Sequence, residues 1–146
     1  MEQPMGHRNV EAQRRFVEAV NSGKLEVLRE LIDPGVVDHD PAPGQGPGAE
    51  GYVQFFREMR IAFPDLKVEI KHMISDDHNV AVAYKLTGMH RGPFHDVPAT
   101  GHTIIVRGVQ IARFYGGRMV ERWGALDELG ILEQLGAAPG RNRMMA

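Results

Sequence analysis

At 146 residues the chain has the length of one domain, and 42% hydrophobic with 25% charged residues is the composition of an ordinary globule. A net charge of −2 leaves no electrostatic footprint for nucleic acid or an anionic membrane surface. There is no cysteine, hence no disulfide framework and no thiolate nucleophile.

The N-terminus, MEQPMGHRNV, has no charged-then-apolar leader, and no apolar run approaches membrane-spanning length, so a cytoplasmic protein is expected. From Asn9 to Ser22 the apolar residues Val10, Phe16, Val17 and Val20 fall near helical spacing, with Gly23 as the stop. Lys24 to Ile32 repeats the pattern through Leu25, Leu28, Leu31 and Ile32, and Pro34-Gly35 ends it. The segment VVDHDPAPGQGPGAEG is too rich in proline and glycine for regular structure after Val37. A third helix is predicted over Ala49–Phe63, with Tyr52, Phe55, Phe56, Met59 and Phe63 along one side and Pro64-Asp65 closing it.

Beyond Asp65 the period changes to two. Leu66, Val68 and Ile70 alternate with charged residues, a turn cluster follows at 75–79, and Val80–Thr87 places Val80, Val82, Tyr84 and Leu86 on one side. An irregular connection, 88–102, leads into a long strand Thr103–Tyr115, a Gly116-Gly117 turn, a strand Arg118–Gly124 and a short helix Asp127–Leu135. A tight turn alone would set Arg113 opposite Val120. A slip of one residue, through a bulge at the glycines, sets Arg113 opposite Glu121 and Ile111 opposite Trp123, which matches charges and apolar partners and is the register expected. It puts Val106, Gly108, Gln110, Ala112, Val120, Arg122 and Gly124 on one face.

Three helices followed by a run of strands predict an α+β fold, a cone-shaped curved antiparallel sheet wrapped around the N-terminal helices with an internal cavity at its open end. Residues 5–136 form the domain and 137–146 a flexible tail. The small residues Gly108, Ala112 and Gly124 fit either room for a ligand or close packing.

The blocks DHDP near 40, AFPDL at 62–66, GMHRG and VPATG within 88–101, IARFYGGRMVERW at 111–123 and DELGILEQLG at 127–136 resemble the SnoaL-like polyketide (ester) cyclases of the nuclear-transport-factor-like superfamily. The resemblance implies an intramolecular aldol ring closure on a hydrophobic, carbonyl-rich substrate, with neither metal nor organic cofactor. It also implies an acid/base aspartate on the last strand and a helping histidine on the strand before. Those two positions fall on Gly124 and Gln110, so both proton carriers are absent. Glutamine can donate a hydrogen bond to a developing oxyanion but cannot shuttle protons, and glycine contributes only space.

Another acid/base is therefore required. His39, between Asp38 and Asp40, can have its imidazolium stabilised by a carboxylate, and in the family this segment passes the cavity mouth. The opposing reading is a solvated turn. His90 shares a strand side with Tyr84, Leu86 and Gly88, and is otherwise a hydrogen-bonded strand-end histidine. His95, Asp96 and His102 sit in a connection that could cover the cavity as a lid or be a plain loop. The histidine spacings match no zinc or iron pattern, so no metal is expected. Asp127 is either a helix N-cap or a substrate contact, while Phe56, Met59, Arg122 and Trp123 are candidate substrate contacts, Trp123 only if the hairpin takes the other register.

The expected protein is thus a cofactor-independent cyclase or isomerising enzyme, with His39 or His90 as acid/base, Asp38 beside it and Gln110 polarising a carbonyl. It would be a homodimer through the exposed sheet face. The alternatives are a non-catalytic binder of an apolar ligand and a cofactor-free hydroxylase.

Overall fold

A computed structural model describes residues 5–137, and the tail expected to fray lies outside them except for Ala137. The element order is α1 (Met5–Ser22), a 3-10 turn (Leu25–Val27), α2 (Leu28–Leu31), β1 (Ile32–Asp38), α3 (Gly48–Ala62), β2 (Lys67–Ser75), β3 (Asn79–Met89), β4 (Thr103–Tyr115), β5 (Arg118–Leu126) and α4 (Glu128–Gln134). The strands form one sheet in the order β1-β5-β4-β3-β2, and the α+β architecture is the one expected.

Period-two sequence becomes the inner wall directly. Val80, Val82 and Leu86 from β3 and Ile104, Val106, Ala112 and Phe114 from β4 are buried, while their neighbours Ile105, Val109 and Ile111 stay exposed. Helix α1 closes the sheet with Ala12, Phe16, Ala19 and Val20, one 3.6-period face. Its last turn is fastened to the β2 edge by Asn21, whose amide donates to the Val68 carbonyl at 2.9 Å and accepts from the Val68 N–H at 2.7 Å. The Arg60 guanidinium of α3 donates to the carbonyls of Val20 and Asn21, satisfying two acceptors that the end of α1 leaves open.

The β4–β5 hairpin takes the slipped register, with Arg113 opposite Glu121, Ile111 opposite Trp123 and Gln110 opposite Gly124. The slip is not at the glycines. Gly116 and Gly117, at φ +58° and +78°, make a tight two-residue turn that pairs Tyr115 with Arg118 and Phe114 with Met119. The extra residue is Val120, so Met119 rather than Val120 is the buried partner of Phe114.

The sequence reading missed β1. It lies parallel to β5, pairing Val37 with Glu121 and Asp38 with Arg122, so the sheet is antiparallel except at this edge. Pro34 and Gly35 break its alternation, and only the open side of β5 holds it extended. The consequence for the site is a rule of direction: consecutive residues at its end point to opposite faces.

Candidate functional site

An apolar cavity of about 280 Å³ lies between the sheet and helices α1 and α3. Phe16, Val17, Phe55, Phe56, Val82 and Leu86 contribute to its walls. Asp40, Pro41, Pro43 and Ala125 line it and are themselves exposed, which marks the open end.

A polar inlay is set into this apolar wall, beginning at the end of β1. Asp38 points inward, and its carboxylate accepts from the Tyr52 hydroxyl at 2.6 Å, from Arg122 Nη1 at 3.1 and 3.2 Å, and from the Asp40 N–H at 2.9 Å. The Asp38 and Arg122 side chains are only 8% and 15% exposed, a largely desolvated ion pair. Arg122 also donates through Nε to Gln110 Oε1 at 2.7 Å and through Nη1 to the Asp40 carbonyl at 3.2 Å. Arginine can only donate, so the glutamine must turn its oxygen toward it. Gln110, itself a cavity residue, then has its amide NH₂ free of any partner among the described residues.

Tyr84 supplies a second unpartnered donor. Its ring lies over Gly108, where a Cβ would come within 2.3 Å of the ring, so only glycine leaves it this place. Burial pushes the Tyr84 phenol above its ordinary range, opposed by Arg122, and the hydroxyl stays protonated at neutral pH. Tyr84 lines the cavity, and no hydrogen bond holds its hydroxyl among the described residues. Gln110 pairs with Val82 and Gly108 with Tyr84, which makes Gln110 and Tyr84 diagonal neighbours on the inner face.

Neither histidine expected to carry protons is in the cavity; among the seven histidines, none lines it. His39 follows Asp38 on β1 and therefore faces outward. Its ring stacks on Trp123 at 4.8 Å and 10°, and Nε2 bonds Glu121 at 2.7 Å. Trp123 goes with it to the outer face, so the substrate contact offered by the other register does not form.

His90 does lie on the inner side of β3 but beyond the cavity, fully buried beside Phe63 at a centroid distance of 5.5 Å. Its Nδ1 accepts from the Thr100 N–H at 3.1 Å, which places the proton on Nε2, a buried atom without a partner. The connection that carries His95, Asp96 and His102 folds under α3 rather than over the cavity. Arg91 and Gly92 donate to the Ala62 carbonyl there, and His102 Nδ1 donates to the Gln134 carbonyl at 3.0 Å.

Asp127 is an N-cap, its carboxylate accepting from the Gly130 N–H at 2.9 Å, and does not line the cavity. Met59 is core at 4% exposure, whereas Phe56 and Arg122 do line it. Gly108, Ala112 and Gly124 divide between the two readings offered for them: Tyr84 occupies the space at Gly108, Ala112 is packed solid, and Gly124 borders the cavity. No group of three or more possible metal ligands occurs among the described residues, and no described helix is long and apolar enough to cross a membrane.

Sequence reasoning missed Tyr52 and Glu128 as cavity residues, and took Asp40 only as a flank of His39 and Tyr84 only as one residue of a strand side. The tyrosines had been assigned to apolar faces, which is where their rings are; the signal lay in the polar tip that such a ring carries inward.

The buried acids and bases give a pH signature. Burial would raise the Asp38 carboxyl, but hydrogen bonds from Tyr52 and the Asp40 N–H, with the Arg122 charge, outweigh it and hold the pKa below the ordinary value. Burial, with His102 nearby, pushes the His90 imidazole down against the backbone at Gly92. In both cases the unfolded chain binds the proton more readily, so stability falls with falling pH. The His90 loss should begin below about 6.5 and the Asp38 loss below about 3.9. Urea unfolding at stepped pH should show both; His90→Asn, whose amide oxygen can keep the Thr100 bond, should flatten the first and leave the second.

Comparison with known proteins agrees with the fold. The family model for SnoaL-like polyketide cyclase matches residues 10–135. The chain is 28% identical over 130 residues to an aklanonic acid methyl ester cyclase of Streptomyces peucetius, covering 84% of this chain and 87% of that one. Among solved structures, wild-type IdmH from Streptomyces antibioticus, proposed to be a polyketide cyclase, superposes with a TM-score of 0.76 at 32% identity, over 88% of this chain and 98% of that one. AclR from Streptomyces galilaeus, proposed to be a hydroxylase, gives 0.78 at 26% identity, over 90% and 97% of the two chains.

Proposed function

Because the chain belongs to the SnoaL-like polyketide cyclase family, we propose that its cavity binds a hydrophobic carbonyl compound and converts it by acid/base chemistry, closing a ring or isomerising it, without a cofactor. The observation that carries this reading is the pair of donors without a protein partner among the described residues, the Gln110 amide and the Tyr84 hydroxyl, diagonal neighbours in the cavity wall. Both donors open into the cavity rather than being sealed in its wall, so an acceptor on the ligand can take the place of water there. A carbonyl oxygen is the natural one, and its affinity for both donors rises as it becomes an enolate oxygen, which is the condition for catalysis rather than mere binding.

Ring closure needs nothing more than proton traffic. A base removes a proton from the carbon between two carbonyls, the electron pair moves onto oxygen facing Gln110 and Tyr84, and the enolate carbon attacks a second carbonyl in the same molecule. The new alkoxide takes the proton back. Atoms and electrons balance, so the net reaction is an isomerisation. Phe56 and its aromatic neighbours hold the apolar body, and Arg122 fixes the Gln110 amide. At about 280 Å³ the cavity is near the lower end for ligand sites, which favours a compact aromatic ring system or a larger one projecting through the open end.

The test uses aklanonic acid methyl ester, named in the relative's activity, and the smaller methyl benzoylacetate. Saturable turnover of the first, or saturable acceleration of α-proton exchange in the second, supports the reading. Binding without either favours a passive ligand carrier. Oxygen-dependent product would favour hydroxylation, the activity proposed for AclR.

A homodimer through the outer sheet face is part of the same proposal. Ile105, Val109 and Ile111 are 59%, 57% and 46% exposed in one row, beside the Trp123–His39 stack. Val109→Lys combined with Ile111→Glu should shift sedimentation from dimer to monomer; unchanged mass would remove this face as the interface.

A further inference from the structure

We propose that Asp40 is the proton carrier of the cavity, which deepens the acid/base reading above and rests on it. Two carboxylates line the cavity, those of Asp40 and Glu128, and they are held differently. Asp40 follows the outward-facing His39 and so returns to the inner side. Its Oδ2 accepts from the Gly124 N–H at 2.9 Å, taking the place a further β1 residue would have filled on the β5 edge. Its main-chain carbonyl is gripped by Arg122 at 3.2 Å and its N–H by Asp38 at 2.9 Å. Three contacts therefore fix the residue, and Oδ1 is left without a partner among the described residues.

The location fits the chemistry. Gly124 is the residue directly opposite Gln110, so the carboxylate docks beside the strand position that faces the free amide. Gly124 also has to be small: a Cβ there would come within 2.7 Å of the Arg122 guanidinium that organises the inlay. Glu128 sits instead in the first turn of α4, with no hydrogen bond tying it to the inlay among the described residues. In the reaction, Oδ1 of Asp40 accepts the proton from the carbon between the two carbonyls as the electron pair moves to the oxygen held by Gln110 and Tyr84. The same carboxyl then returns the proton to the alkoxide made by ring closure. No oxidant or reductant enters.

A purely structural role for Asp40, closing the β5 edge, survives in Asp40→Asn because the amide oxygen still accepts from Gly124. Proton transfer does not survive. With methyl benzoylacetate in heavy water, followed by NMR, Asp40→Asn should lose at least about 100-fold in kcat with KM within about threefold of the parent. The ionisation limb in the kcat/KM profile should vanish with it. Asp40→Ala should lose as much. Glu128→Gln, which removes the other carboxylate of the cavity, should cost far less than Asp40→Asn. If Asp40→Asn keeps full rate while Gln110→Leu loses it, the carbonyl site stands and Asp40 is not its base; a collapse in Glu128→Gln alone passes the role to that residue. No acceleration by the parent protein overturns the acid/base reading and this assignment together.

Discussion

Replacing Arg122 with methionine is expected to lower the free energy of unfolding by about 3 kcal/mol, because it strands a buried carboxylate. Asp38 is 8% exposed at its side chain and has Arg122 as its ion-pair partner. Neutral hydrogen bonds from Tyr52 and Gln45 remain in the variant, but they do not cancel a charge. The Asp38 pKa should therefore rise, and the acid loss of stability assigned to it should shrink, because that loss scales with the gap between the unfolded and folded values. Removing the orphan charge tests the cause. Asp38→Asn added to Arg122→Met should restore roughly half of the loss, so the two substitutions will not be additive. Denaturant unfolding of the parent, both single variants and the double variant checks this. Strict additivity would mean that the pair contributes nothing through its charges.

Gln110→Leu should cost about 100- to 1000-fold in kcat, the range found when one donor to a developing oxyanion is removed. The substitution is nearly isosteric and leaves the apolar lining intact, so substrate affinity should change little. Arg122 loses one acceptor but keeps Asp38 and the Asp40 carbonyl, which limits the damage to the fold. Tyr84→Phe should behave alike, with a smaller loss if the amide carries most of the charge. A Gln110→Leu variant with raised KM and unchanged kcat would mean that the amide binds ground state and transition state equally, as expected of a carrier protein.

What the sequence made legible follows from which forces are local. The slipped hairpin could be read because Arg113–Glu121 and Ile111–Trp123 are cross-strand pairs whose chemistry is visible in the letters. The inner face of β3 was readable for the same reason, down to the side on which His90 lies. How far along that face the cavity extends was not, since it depends on Phe63 arriving from α3 to fill the narrow end.

The largest error grew from one missed strand. Asp38-His39-Asp40 looks like a histidine flanked by two carboxylates, and in a loop that would be a fair place for an acid/base. At and just past the end of β1 the same three residues alternate: the carboxylates go in and the imidazole goes out to Trp123. β1 is extended only because β5 has a free edge, a tertiary fact that no propensity scale holds. Tyr84 is a lesser case, since the contact with Gly108 that aims its hydroxyl joins two strands.

The central claim is that the Gln110 amide and the Tyr84 hydroxyl together receive a carbonyl oxygen of the ligand. A crystal structure with benzoylacetone, an aromatic 1,3-diketone with no second carbonyl arm to cyclise, tests it most directly. The account predicts the diketone in the cavity, with one oxygen within about 3.2 Å of both Gln110 Nε2 and Tyr84 Oη. A diketone whose oxygens face the open end, with both donors left unbonded, would contradict it.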